Sequence, residues 1–434
     1  MSIKKYFPKR KIIFKKYKWC LLLFLIFLLH FFLRFYQLET KSLFGWDQVD
    51  NAWVAKNIII DHKIPLIGAP IKGNSGFNLG PIYYYLIVPF YWMFDLDPIA
   101  SGIFAAVTSL LTFITLYWVL SSLFSKKVAL FAVFLRTVSF AVIHSDKIQW
   151  NVNFIEPVSL VVFYALYKII TGNSRYFLLL SIAVGFSMHV DFTSVFYPLI
   201  IIFSLPFIPR NLWTLKHIVL SVPLFFIFIT PTLLIQPQIK NSQVSNLQIY
   251  LQTYYHGIHL RRILQLISDA FIQFEGILYF IFLKPLKYVL LSLFILLYNG
   301  KQFYREKILL SYLFLLWFLV PWIVFSTYKG EISDYYFLIN RWIVIAIIAF
   351  LLNFLFEQKH VLIRGFVLLT LGIYTYFNLI NFFLYRTDGG LKLIRENVKK
   401  AIKEGRVINF RQGDPESYIY YVYTRKKFQK DIKK

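Results

Sequence analysis

The chain has 434 residues, of which 58% are hydrophobic, 20% aromatic and only 16% charged. Soluble domains are roughly a quarter charged, so this composition excludes a water-soluble globular protein. The net charge of +26 invites a nucleic-acid reading, but the basic residues gather beside apolar runs, which leaves the lipid bilayer as the partner and no nucleic acid.

Eight basic residues (Lys4, Lys5, Lys9, Arg10, Lys11, Lys15, Lys16 and Lys18) precede the first apolar run, from Trp19 to about Phe35. Positive charge before a span places the N-terminus in the cytoplasm. The run ends in bulky His30, Phe31, Phe32 and Leu33. No small-residue cleavage site follows, so it reads as an uncleaved first helix. The one cysteine, Cys20, lies in this helix and has no intrachain partner.

Residues 36–97, rich in Gly, Pro and Asn, form the predicted first external loop. A polar helix is expected from Asp47 to Asp61. An aromatic segment, Pro81–Phe94, is interrupted by Pro89 and is placed along the external interface, where Tyr and Trp are favoured. Further spans are predicted at 98–124, 128–143, 154–171, 176–191, 192–208, 216–236, 280–299, 307–327, 338–356 and 361–384. These runs are continuously apolar, and backbone in lipid must satisfy its own hydrogen bonds, so they are helices. Alternating sides puts Lys126/Lys127, Arg175, Arg210/Lys216, Lys301/Arg305/Lys307 and Lys359/Arg364 together on the cytoplasmic side. The expected fold is thus an all-α polytopic bundle of about eleven transmembrane helices spanning residues 1–384. Residues 385–434 form a small extracytoplasmic α+β segment. Its helix carries Leu391, Ile394, Val398 and Ile402 on one face, and two strand-like runs follow, Arg406–Phe410 and Ser417–Thr424.

The stretch Phe44-Gly45-Trp46-Asp47-Gln48-Val49-Asp50 concentrates the chemistry. Asp47 and Asp50, at i and i+3, share one helix face just outside the membrane. Asp is also a good N-cap, so capping competes with catalysis for Asp47. His189 and Asp191 interrupt an apolar stretch. Ionisable groups at membrane depth need a partner or a cavity, and a solvated external turn explains this pair equally well. His144, Asp146 and Glu156 form a similar external rim. His189-Val190-Asp191 lacks a third ligand at zinc spacing, so no metal site is read there.

The layout resembles the membrane-embedded C-type glycosyltransferases, which include protein O-mannosyltransferases and lipid A aminoarabinose transferases. Trp46-Asp47-Gln48 stands where that superfamily has an Asp-Glu motif opening a helix in the first external loop. Gly80-Pro81-Ile82-Tyr83-Tyr84-Tyr85 stands at its Pro-aromatic segment, and Gly172–Pro198 where relatives turn between two mid-chain spans. The resemblance covers most of the first 240 residues. Gln48 replaces the family's Glu, and no Lys precedes Pro81.

The resemblance implies an inverting transfer of a sugar from a polyprenyl-phosphate donor to a lipid, glycan or protein acceptor, on the extracytoplasmic side of the plasma membrane. A carboxylate serves as general base toward the acceptor, which assigns Asp47 that role and Asp50 a sugar or metal contact. The phosphate leaving group needs cations. Candidates are Lys72, Lys147, Arg261, Arg262 and Arg341, with Arg341 preferred because it opens a span after Asp334-Tyr335-Tyr336; Arg also suits bidentate phosphate contact better than Lys. Gln48, Tyr83, Tyr84, His144, His189 and Asp191 complete the expected substrate contacts. Divalent-metal dependence varies within the superfamily and stays open. Two rivals remain: a polyprenyl-linked lipid or sugar transporter or flippase, and a non-catalytic subunit of the same fold, which Gln48 raises. Clustered carboxylates on a large external loop favour the enzyme, as does the lack of two related halves.

Overall fold

The computed structural model describes residues 8–71, 77–212, 215–235, 243–255, 257, 259–269, 277, 286–299, 305–387 and 390–432. Its helices are α1 (Pro8–Phe35), α2 (Leu38–Lys41), α3 (Trp46–Ile59), α4 (Ile82–Met93), α5 (Ile99–Leu123), α6 (Lys126–Val138), α7 (Phe140–Ser145), α8 (Ile155–Ile170), α9 (Tyr176–Ser187) and α10 (Phe196–Ser204). They continue with α11 (Leu215–Ile235), α12 (Gln243–Tyr254), α13 (Leu260–Asp269), α14 (Leu286–Asn299), α15 (Arg305–Ser326), α16 (Leu338–Phe356), α17 (Val361–Leu384), α18 (Leu391–Lys403) and α19 (Pro415–Ile432).

Among the described residues, six helices are long and apolar enough to cross a membrane: α1, α5, α8, α15, α16 and α17. The other expected spans also fall on helices, most of them shorter, and the start of the 280–299 span lies outside the described residues. The span expected over 128–143 breaks at Ser139, whose extended backbone separates α6 from α7. The aromatic segment is α4, at 12 residues too short to cross alone.

The core centres on α8 and α16. Trp317 Nε1 and Trp342 Nε1 both donate to Ser159 Oγ, at 2.8 and 2.9 Å, and Ser159 Oγ donates to Ile339 O at 2.8 Å. A single hydroxyl thereby satisfies two buried indoles and joins three helices.

A buried charged cluster ties the same region together. Arg34 Nη2 donates to Asp146 Oδ2 at 2.8 Å, and Arg136 bridges Asp146 at 2.9 Å and Glu156 at 3.1 Å. Arg341 Nη1 reaches Ser145 Oγ at 3.2 Å and lies 3.8 Å from Glu156. Four helices, α1, α6, α8 and α16, meet here with the turn after α7. Removing one partner from such a group typically costs about 3–5 kcal/mol, because a buried charge is left alone.

The C-terminal segment differs from expectation. α18 is present, but Ser417–Thr424 lies within helix α19, and Arg406–Phe410 is extended without a partner strand. Only isolated bridges occur among the described residues, so the segment is helical rather than α+β. The residues read as a hairpin turn start a helix instead. Asp414 Oδ2 accepts the Ser417 N–H at 3.0 Å as an N-cap does, and Pro415 takes the first helical position. The segment lies against the first loop. The Trp53 ring meets Phe410, Tyr418 and Tyr421 at centroid distances of 5.2, 5.1 and 5.2 Å. Arg395 pairs with Glu39 and Asp97, and Arg425 with Asp95 at 2.8 Å. Residues 390–425 and the first loop therefore share one end of the bundle.

Candidate functional site

Helix α3 begins at Trp46, one residue before Asp47. Gly45 is the extended N-cap residue, and Gln48 Oε1 accepts its N–H at 3.1 Å. The expectation that Asp47 caps the helix fails. It lies in the first turn, where the helix dipole favours a negative charge. Gln48 is buried, and its Nε2 donates to Gln149 O at 2.8 Å. Glutamate could close the same capping loop but could not donate to that carbonyl. The departure from Asp-Glu thus has a local structural reason, and Gln48 supports α3 rather than facing a substrate.

Asp47 keeps access to water while protein crowds its other side. Burial, and then the charge of Asp50, raises its pKa above the ordinary Asp range. Across from both stands Tyr84 on α4. Burial, then Asp50 and Asp47, pushes its phenol up to about 12, so it stays a neutral hydrogen-bond donor at physiological pH. Tyr83 is buried against Phe104 and Phe154 and shapes the wall.

The start of α4 is set by close packing. A Cβ on Gly80 would fall 1.8 Å from His189 Nδ1, so only glycine admits the imidazole. His189 Nε2 donates to Phe228 O at 2.7 Å, which leaves Nδ1 to accept the Ile82 N–H at 3.4 Å. His189 is a strut between α4 and α11.

Two residues on, Asp191 opens a 3₁₀ turn and accepts the Thr193 N–H at 2.9 Å. It lines a narrow cleft of about 20 Å³ with Thr193, Tyr250, Tyr255, Tyr328, Tyr335 and Tyr336. The Tyr335 phenol feels the charge of both Asp191 and Asp47, which links this cleft to the carboxylates on α3. Sequence reasoning passed over this tyrosine cluster. The available signal was the recurrence of Tyr in two separate external segments, around 250–255 and over 328–336.

The remaining candidates go elsewhere. Lys147 is buried and donates to Arg34 O at 2.6 Å and Tyr36 O at 2.8 Å, carbonyls at the end of α1. Burial pushes its pKa down to about 7. The His144 ring packs on Tyr385 at 4.9 Å. Arg341 belongs to the charged cluster described above. Lys72 lies outside the described residues. Arg262 Nη2 donates to Gly330 O at 2.8 Å, on the loop that follows Tyr328, and Arg261 beside it is exposed.

Among the described residues, no group of three or more His, Cys, Asp or Glu side chains is placed to hold a metal ion. Asp47 and Asp50 offer two carboxylates. That donor set suits Mg²⁺ only where water and substrate phosphate fill the other positions.

Residues 78–235 match the family model of dolichyl-phosphate-mannose-protein mannosyltransferases. No curated protein sequence matches the chain. Among solved structures, ArnT from Cupriavidus metallidurans bound to undecaprenyl phosphate is similar at a TM-score of 0.55 and 12% identity, covering 94% of this chain and 76% of ArnT. The apo oligosaccharyltransferase of Archaeoglobus fulgidus is similar at a TM-score of 0.57 and 14% identity, with 94% of this chain and 60% of that one covered. The same archaeal enzyme, AglB, bound to an inhibitory peptide and a dolichol-phosphate, gives 0.54 at 14% identity and the same coverage. The chain has the all-α fold of the membrane-embedded C-type glycosyltransferases.

Proposed function

We propose that the chain is a glycosyltransferase that moves a sugar from a polyprenyl-phosphate donor to an acceptor, with Asp47 as general base. The observation that carries this reading is a carboxylate relieved of capping. Asp47 is held beside Asp50 and the neutral phenol of Tyr84, next to a tyrosine-lined cleft that ends at Asp191. The neighbours support the donor class, since one of them holds undecaprenyl phosphate and another a dolichol-phosphate.

In this mechanism Asp47 takes the proton of an acceptor hydroxyl or amine as its oxygen or nitrogen attacks the anomeric carbon. The bond from that carbon to the phosphate oxygen breaks, and its electron pair leaves with the phosphate. One displacement inverts the anomeric centre. The leaving phosphate needs cations rather than a proton. With Arg341 and Lys147 committed elsewhere, we assign that role to Arg261 and Arg262. Asp50 and Asp191 take sugar hydroxyls, with Asp50 also available to a divalent ion. The positive-inside distribution supports a cytoplasmic N-terminus and an extracytoplasmic site. The wiring of Gln48 gives its presence a cause other than lost catalysis, which weakens the non-catalytic reading.

The test is Asp47→Asn in purified protein, given a panel of radiolabelled polyprenyl-phosphate sugars. A lost general base lowers the rate by ~10²–10⁴-fold. Thermal stability should stay nearly constant, because Gly45 and Gln48 do the capping. A variant with full transfer would remove Asp47 from the chemistry. A wild-type protein that consumes none of the donors would return the flippase reading to the front.

A further inference from the structure

At the end of the bundle opposite α3, helices α1, α6, α16 and α17 enclose a cavity of about 630 Å³. Its walls are apolar, with Leu22, Phe131, Phe134 and Leu371 among them. Its mouth is basic. Lys18 and Lys127 line it, and their ammonium groups lie 5.7 and 5.9 Å from the Trp19 ring. Lys127 also meets Glu357 at 2.6 Å. Arg364 stands one turn before the wall residue Leu368, its Nε donating to Gln358 O. Among the described residues, the lining thus holds two cations, one of them paired with a carboxylate.

Gly372 supplies an independent observation. It lies inside α17, where glycine is the poorest helix former apart from proline. A Cβ there would meet nothing within 4 Å. Among the described residues no packing calls for glycine at this wall position, and the space beside it stays open.

We propose that this cavity binds an anionic phospholipid, its phosphate between Lys18 and Lys127 and an acyl chain running past Gly372. Basic pockets between transmembrane helices at the leaflet surface recognise anionic headgroups. Trp19 sits where an interfacial tryptophan is favoured. The competing occupant is a transmembrane helix, because Gly365 and Gly372 are seven residues apart, both face open space, and small residues make helix seams. The bulky Phe131, Phe134 and Tyr376 beside Gly372 disfavour a close seam, and an apolar helix would add no anion to the one that Glu357 offers Lys127.

The test reconstitutes the full chain and its Trp19→Phe variant in phosphatidylcholine vesicles doped with brominated phosphatidylglycerol or brominated phosphatidylcholine. The fluorescence difference between the two proteins isolates Trp19. Phosphatidylglycerol should quench Trp19 at a several-fold lower mole fraction than phosphatidylcholine. Lys18→Gln/Lys127→Gln should erase that preference, and Gly372→Leu, which fills the cavity, should weaken it with the oligomeric state unchanged. Equal quenching by the two lipids in the wild type overturns the proposal, as does a preference that survives loss of both lysines. A Gly372→Leu protein that dissociates an oligomer while its quenching stays the same assigns the groove to a helix instead.

Discussion

Asp50 acts on the charge of Asp47. Burial and then the negative charge of Asp50 raise the Asp47 pKa, so its proton-accepting form becomes dominant at a higher pH than in an ordinary Asp. The sign follows directly. A raised folded-state pKa contributes stability at low pH that is lost as pH rises through it, whereas a base gains activity over the same range. Asp50→Asn removes the repelling charge, so the acid limb of the kcat/KM profile should move to lower pH. A limb that stays in place would show that Asp50 does not act on the base. At this scale the sequence shows that Asp47 and Asp50 share a helix face, but not which neighbours they meet. Gln48 is explained by Gln149, which no local pattern reveals. Lys147 and Arg341 were read as external cations because sequence gives the side of the membrane but not where a donor ends. The last carbonyls of α1 lack helical partners, and Lys147 fills that need. Lys41 does the same for α17, donating to Phe382 O at 2.7 Å and Tyr385 O at 2.6 Å.

The transmembrane helices were legible because lipid leaves the backbone no alternative. The C-terminal segment was not, because Gly413-Asp414-Pro415 is equally a turn and a helix start, and Ser417–Thr424 carries apolar residues at both spacings. Burial of Tyr418, Ile419 and Val422 against the first loop decides for the helix. That docking makes α3 depend on a segment hundreds of residues away. Gly413, at φ 68°, lies so close to Trp46 that a Cβ would come 2.4 Å from Cδ2 of the indole. Gly413→Ala therefore meets both a left-handed backbone and a clash. It should cost more than about 1 kcal/mol and disturb the residue next to Asp47, so that transfer falls further than the melting temperature alone accounts for. Unchanged activity in the folded variant would mean that Trp46 moves independently of Asp47.

Over the whole molecule, the contacts of Arg395 and Trp53 fix residues 390–425 to the end of the bundle that carries α3, whichever way the protein lies in the membrane. Orientation can thus be read at two exposed positions. In a Cys20→Ser background, Gln412→Cys should react with a membrane-impermeant maleimide in intact cells, and Lys126→Cys only after permeabilisation. The reverse pattern would put the candidate site in the cytoplasm.

The charged cluster also imposes an order on assembly. Arg34 lies in α1, yet its carboxylate partner, Asp146, is 112 residues further along. At ~5–20 residues per second, the guanidinium waits on the order of ten seconds before that partner exists. During that interval a long cation near a helix end can snorkel to the interface, which keeps α1 at the bundle's edge. Docking of α1 through Arg34 is then timed by the arrival of the α7–α8 turn, so α1 reaches its final place only after a span made later than itself.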